Sequence, residues 1–182
     1  MKILLASGSP RRKQLLEELG HEITVISPDF DEGQVLIQEP AALVAALAEG
    51  KGRSVKNQSG ALLVAADTVV AFQGKILGKP ASAREAEQML CALSGNVHEV
   101  YTGVYLEKDG VSRVFTDRSE VHFRPLTSEE IAAYIATGKP MDKAGSYGIQ
   151  ETDFVCKICG SYHNIMGFPT EKFEQVITQL KG

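Results

Sequence analysis

The twelve residues Ala61-Leu-Leu-Val-Ala-Ala-Asp-Thr-Val-Val-Ala-Phe72 are the most strand-like stretch of the chain. Ser59-Gly60 precedes them and Gln73-Gly74-Lys75 follows, so the pattern predicts a strand that turns back through a hairpin to Ile76-Leu77. Further along, Val97 to Glu107 and Val111 to Phe123 flank Lys108-Asp109-Gly110, a second hairpin signal. Two hairpins require antiparallel pairs. Upstream the pattern changes. Lys2-Ile-Leu-Leu-Ala6 reads as a short buried strand. Arg11 to Leu19 reads as a helix, with Leu15, Leu16 and Leu19 on one face and Gly20 at its end, and His21 to Ile26 as another strand. Strand, helix, strand at the start and hairpins in the middle predict an α/β fold. Its sheet is mixed, twisted and covered by helices rather than purely parallel and doubly wound.

The remaining elements fit that frame. Pro40 to about Val55 has helical spacing and carries Lys51 and Arg53 near its end. Ser82-Ala-Arg-Glu85 and Thr127-Ser-Glu-Glu130 have capping-box spacing, which predicts helix starts at both places. Phe154 to Ile158 reads as a strand and Thr170 to Leu180 as a closing helix. With 182 residues, no internal repeat and no linker, the chain reads as one domain over 1–182, with room for two lobes around a cleft.

Composition narrows the function classes. Apolar residues make up 43% and charged residues 23%, which excludes intrinsic disorder. Nineteen basic against 23 acidic residues give a net charge of −4, so the overall positive field of a non-specific DNA binder is missing and nucleic acid is not an expected partner. Any anion site must therefore be local. The longest apolar run, the eight residues Ala41 to Ala48, is far short of the roughly 18 needed to cross a bilayer. Ile3 to Ala6 is too brief for a signal-peptide core, and three cysteines do not make a disulfide framework. A cytoplasmic protein is expected.

Three constellations carry chemistry. In Ser7-Gly-Ser-Pro-Arg-Arg12, Ser9 suits the helix cap and Pro10 the first turn, and the helix end offers free N–H groups to an anion. Arg11 and Arg12 oppose the helix dipole there, which a bound phosphate would explain; solvated arginines on a capped surface helix are the alternative. Asp67, inside an apolar strand, must be paired, metal-bound or neutralised, so it is either functional or half of a structural ion pair. Asp31-Glu32, in the acidic loop Pro28 to Gly33, can add a carboxylate toward a hard divalent cation, whereas Glu32 taken singly reads as a solvated loop residue. Gly78-Lys79-Pro80 and Gly138-Lys139-Pro140 hold lysines in rigid turns suited to a polyphosphate. After the second, Gln150 ends a glycine-rich loop and offers an amide to a base edge. Cys156-Lys-Ile-Cys159 lacks further ligands at zinc spacing, so both cysteines read as core or strand residues, and His98 and His163 as structural.

Together Ser7-Gly-Ser-Pro-Arg-Arg12, Ala66-Asp-Thr68, Gly78-Lys-Pro80, the run from Gly138 to Gln150 and Gly160-Ser-Tyr-His-Asn-Ile-Met-Gly-Phe-Pro169 resemble the Maf family of nucleoside triphosphate pyrophosphatases over nearly the whole chain. The resemblance implies a fold like that of the inosine-triphosphate pyrophosphatases, with a central cleft. It also implies a homodimer and hydrolysis of a nucleotide to its monophosphate and pyrophosphate with Mg²⁺ or Mn²⁺. The Ser-Pro-Arg-Arg opening and the Tyr147-Gly-Ile-Gln150 loop are similar to the branch acting on dTTP and UTP rather than on 7-methyl-GTP. By that match Asp67 is the proton acceptor, and Glu32, Lys51 and Lys79 fall where the family keeps other active-site residues. The chemistry leaves Asp67 either deprotonating the water or holding the metal that acidifies it, with Glu32 completing the metal site. Ser7 and Arg12 bind phosphate, and Arg11, Thr68 and Gln150 set base specificity. Family members commonly have glycine after the glutamine, where this chain has Glu151. A nucleotide-sensing regulator of septum formation is the alternative from another class.

Overall fold

The computed structural model describes residues 1–57 and 60–180; Ser59, at the predicted start of the central strand, lies outside them. The central strand is β3 (Leu62–Phe72), reached after β1 (Lys2–Ala6), α1 (Pro10–Glu18), β2 (Glu22–Ile26) and α2 (Pro40–Arg53). Downstream come β4 (Lys75–Leu77), α3 (Ala83–Leu93), β5 (Val97–Lys108), β6 (Val111–Phe123), α4 (Ser128–Ala136), β7 (Val155–Cys159), α5 (Tyr162–Met166) and α6 (Thr170–Leu180). All seven strands share one sheet in the order β2-β1-β3-β5-β6-β7, with β4 also on β3. The pairs β1·β2 and β1·β3 are parallel and the rest antiparallel, as the split between a helix-linked start and a hairpin-rich middle predicts.

One interruption in this sheet creates the cleft. β1 pairs with β3 only as far as Ala6 opposite Ala65, and β4 takes over only at Leu77 opposite Val70. Among the described residues no strand pairs with that edge of β3 from Ala66 to Val69, and Arg12, after the turn that follows β1, bonds to Ala66 O there.

Apolar side chains gather in three clusters. Ile3, Leu15, Leu16, Val64, Phe168 and Phe173 join α1 and α6 to one end of the sheet. Leu90, Val121, Phe123, Ile131, Tyr134, Tyr147 and Phe154 pack α3, α4 and the 144–149 segment onto the other end. Ala48, Leu63, Ala65 and Tyr105 seat α2 on the opposite face. α2 lies very close to the sheet because Gly103 and Gly52 have no side chains. A Cβ on Gly103 would fall 2.2 Å from the Val44 carbonyl oxygen, and one on Gly52 2.1 Å from the Tyr105 ring.

Helix caps depart from expectation in two places. Thr127 and Glu130 form the full reciprocal capping box. Ser82 caps the Glu85 N–H, but the Glu85 carboxylate accepts from Ala81 N–H one residue earlier. Ser9 occupies the cap position of α1 without a side-chain cap bond, and its own N–H donates to Ser7 Oγ. Cys156 and Cys159 lie on or beside β7 as expected of strand residues, but both are exposed, so neither belongs to the core.

Candidate active site

The cleft has a volume of about 630 Å³, and its lining includes all nine site residues that the resemblance implies: Ser7, Arg11, Arg12, Glu32, Lys51, Asp67, Thr68, Lys79 and Gln150. Chain segments from both ends of the sheet meet there. Asp67 stands on β3 opposite Gly103 of β5, on the face that α2 covers. Because Gly103 lets α2 approach, Lys51 in the last turn of α2 reaches down to that carboxylate. Its ammonium lies 2.6 Å from Asp67 Oδ1 and 2.8 Å from Glu32 Oε1. Both alternatives read from the sequence for Asp67 thus meet in one arrangement, an ion pair that lines a cleft. Asp67 and Lys51 are largely shielded, with 13% and 11% of their side chains exposed, whereas Glu32 is 54% exposed.

Arg12 does not project from the first turn of α1 toward solvent. It turns inward and donates four hydrogen bonds, from Nε to Gly167 O, from Nη1 to Ser7 Oγ and Ala66 O, and from Nη2 to Thr68 Oγ1. The Ala66 carbonyl belongs to the stretch of β3 that lacks a strand neighbour, so the guanidinium donates to it the hydrogen bond that a strand N–H would otherwise supply. Burial lowers the Arg12 pKa and Asp67 opposes that shift; a guanidinium remains charged throughout. Behind Thr68 the polar chain continues through Thr102 Oγ1 at 2.9 Å, then to Asn164 of α5, whose amide donates to Val100 O and Ser119 Oγ.

The opposite wall is the 138–151 segment. Arg11 reaches across to Asp142 at 3.4 Å. Lys143, nearly buried, donates to Lys139 O and pairs with Asp142 at 2.7 Å and Glu151 at 3.1 Å. Tyr134 donates from its hydroxyl to Glu151 Oε2 and accepts from Gly148 N–H. Glu151 is therefore bound beside the loop, and Gln150 is exposed on the cleft. Lys79 is exposed and has no ion pair among the described residues, so its ammonium is available to a ligand. The two Gly-Lys-Pro turns differ here, because Lys139 does not line the cleft and Lys143 is the cation of that wall.

Asp142, Lys143 and Tyr147 line the site without having been singled out from the sequence. The adjacent Asp-Lys pair in a glycine-rich loop was the available signal. Two carboxylate oxygens converging on one ammonium form an oxygen-only donor pair, which suits a hard divalent cation that draws its other ligands from phosphate and water. Asp67 and Glu32 therefore fit a metal of the Mg²⁺ or Mn²⁺ kind.

Both the sequence and the fold have counterparts among known proteins. The family described as Maf-like protein matches residues 2–180. A protein of Symbiobacterium thermophilum named dTTP/UTP pyrophosphatase is 44% identical over 182 residues, covering 98% of this chain and 94% of its own. One of the same name from Halalkalibacterium halodurans is 46% identical over 173 residues, covering 93% and 91%. Among solved structures, the Ham1 protein of Staphylococcus aureus shares the fold, with a TM-score of 0.56 at 12% identity and both chains fully covered.

Proposed function

The chain belongs to the Maf-like protein family, and on that premise we propose that it hydrolyses pyrimidine nucleoside triphosphates, dTTP and UTP, to the monophosphate and pyrophosphate. The relatives named dTTP/UTP pyrophosphatase support the reading. The observation that carries it is a single cleft in which Arg11, Arg12, Lys51, Lys79 and Lys143 surround the carboxylates Glu32 and Asp67. A triphosphate needs cations spread along its length, and the displacement needs a base beside them.

In the proposed reaction water attacks the α-phosphorus, the bond from that phosphorus to the bridging oxygen breaks, and pyrophosphate leaves with the bonding electrons. Asp67 accepts the proton of the water. Lys51, fixed against Asp67 and Glu32, and the available ammonium of Lys79 neutralise phosphoryl oxygens as charge develops. Arg12 and Ser7 hold the phosphate end, with the guanidinium also fixing Thr68 and Ala66 in place. Asp67 and Glu32 would hold Mg²⁺ or Mn²⁺, which when bound would supply charge neutralisation on the phosphoryl oxygens. Arg11, Thr68 and Gln150 sort the base, the Gln150 amide offering one donor side and one acceptor side to a pyrimidine edge. The proposal extends to one domain acting as a cytoplasmic homodimer. No helix among the described residues is long and apolar enough to cross a membrane.

Pyrophosphate release from a panel of triphosphates, with Mg²⁺ and with Mn²⁺, tests the reading. Asp67→Asn is expected to lose about 10³-fold in turnover while keeping its thermal unfolding and nucleotide binding, since the amide still accepts from Lys51. Retained turnover in the folded variant refutes the base assignment, and no release from any pyrimidine triphosphate refutes the reaction.

A further inference from the structure

Among the described residues, one cluster of metal-type donors lies outside the cleft. Glu120 and His122 stand two apart on β6 and so share a face of the sheet, and Cys159 of β7 is the register partner of Glu120. A carboxylate oxygen, a ring nitrogen and the thiol sulfur of these residues all lie within 4.8 Å of one another. The register shift between His122 and Phe123 marks an irregularity of the kind that re-aims side chains at a sheet edge.

The geometry suits one small ion. His122 Nε2 and Glu120 Oε1 are 3.1 Å apart. That is close to the edge of a tetrahedron, about 3.3 Å, when nitrogen and oxygen sit at zinc-ligand distance. Neighbouring cations do not block it. Arg118 lies 3.6 Å from Glu120 but 2.5 Å from Glu99, so its charge is already engaged, and Lys157 is exposed. The partly exposed setting leaves a fourth position to water. Cys156 is not part of the cluster, because its thiol donates to the His122 carbonyl.

We propose that Glu120, His122 and Cys159 form a zinc site. Mixed oxygen, nitrogen and sulfur donors favour Zn²⁺, in contrast to the oxygen-only pair in the cleft, which favours Mg²⁺ or Mn²⁺. On binding, the Cys159 thiol releases its proton to solvent as the metal–sulfur bond forms, and neutral His122 coordinates through Nε2.

Titrating the full chain with Co²⁺ in excess Mg²⁺ tests the assignment through a spectrum rather than through turnover. One equivalent of Co²⁺ is expected to give a near-ultraviolet sulfur-to-cobalt charge-transfer band and the strong visible bands of tetrahedral cobalt, and Zn²⁺ to displace both. Cys159→Ser should abolish the near-ultraviolet band, His122→Gln should weaken binding at least about 10-fold, and Cys156→Ser should change neither. All three positions are exposed or half-buried, and circular dichroism checks each fold. Absence of the band in the unaltered protein overturns the site. So does a band that survives Cys159→Ser, one that is lost in Cys156→Ser, or unchanged affinity in His122→Gln.

Discussion

On the wall of the cleft built by β3 and the turn after β1, Arg12 ends on two main-chain carbonyls and two hydroxyls, buried against the sheet. On the facing wall, Lys143 ends on one carbonyl and on the carboxylates of Asp142 and Glu151, the former 61% exposed. Of the first set of four acceptors, two are main-chain carbonyls, one of them on β3, which no exchange of side chains removes. The second depends on side chains that another sequence can exchange. On the proposed function, such a cleft would hold Arg12 rigid for the reaction, with Thr68 fixed beside it, and would leave the wall beside Gln150 free to tune selectivity.

Replacing Arg12 puts the greatest strain on this contrast. Lysine keeps the charge but cannot reproduce the planar fork. Arg12→Lys leaves some buried acceptors unpaired, and it is expected to cost about 3 kcal/mol in stability together with about 10²-fold in turnover on every substrate. Urea unfolding and steady-state rates measure the two losses. Full stability with lost turnover would break the contrast, since Arg12 would then serve the ligand alone.

His98 joins the adjustable wall to the sheet. It is buried on β5, its Nε2 lies 2.7 Å from the Tyr147 hydroxyl, and it packs edge-on against Tyr147 and Phe123. Burial lowers its pKa from 6.5 to about 4, with His122 adding to the shift. The unfolded chain therefore binds this proton more readily. Stability contributed by neutral His98 is complete above about pH 6.5 and is lost as pH falls toward 4. From pH 7 to pH 5 the loss should be about 2 kcal/mol, read from urea midpoints. His98→Gln should flatten that dependence; an equally steep one would assign the acid sensitivity elsewhere.

These tests also mark what the sequence could and could not convey. The strand–turn–helix around Ser7 to Arg12 and the long strand carrying Asp67 were legible because local spacing and turn chemistry determine them. A carboxylate in an apolar strand announced that it needed a partner. Which partner it has depends on how closely α2 packs, and that rests on Gly103, 52 residues after Lys51 in the chain. His98 and Tyr147, 49 residues apart, and Arg12 and Gly167, 155 apart, leave no local pattern at all. The same holds for Cys159, whose neighbours Glu120 and His122 come from another strand and not from the Cys-x-x-Cys spacing.

Glu151 gives the smallest expected effect and the sharpest test of the adjustable wall. Its carboxylate binds Lys143 with one oxygen and the Tyr134 hydroxyl with the other, next to Gln150. Glu151→Gln keeps the shape and one acceptor and removes one of the two ion pairs of Lys143; because Asp142 still neutralises that ammonium, stability should fall by only about 1 kcal/mol. If this wall sets selectivity, the ratio of kcat/KM between dTTP and UTP, or between either and a purine triphosphate, should shift a few-fold. The shift should arise in KM, because the groups around Asp67 are untouched. A uniform fall in kcat on all substrates would instead mean that the loop and the reacting groups move as one body. The division between a fixed and an adjustable wall would then describe only how the side chains are bonded, not how the cleft works.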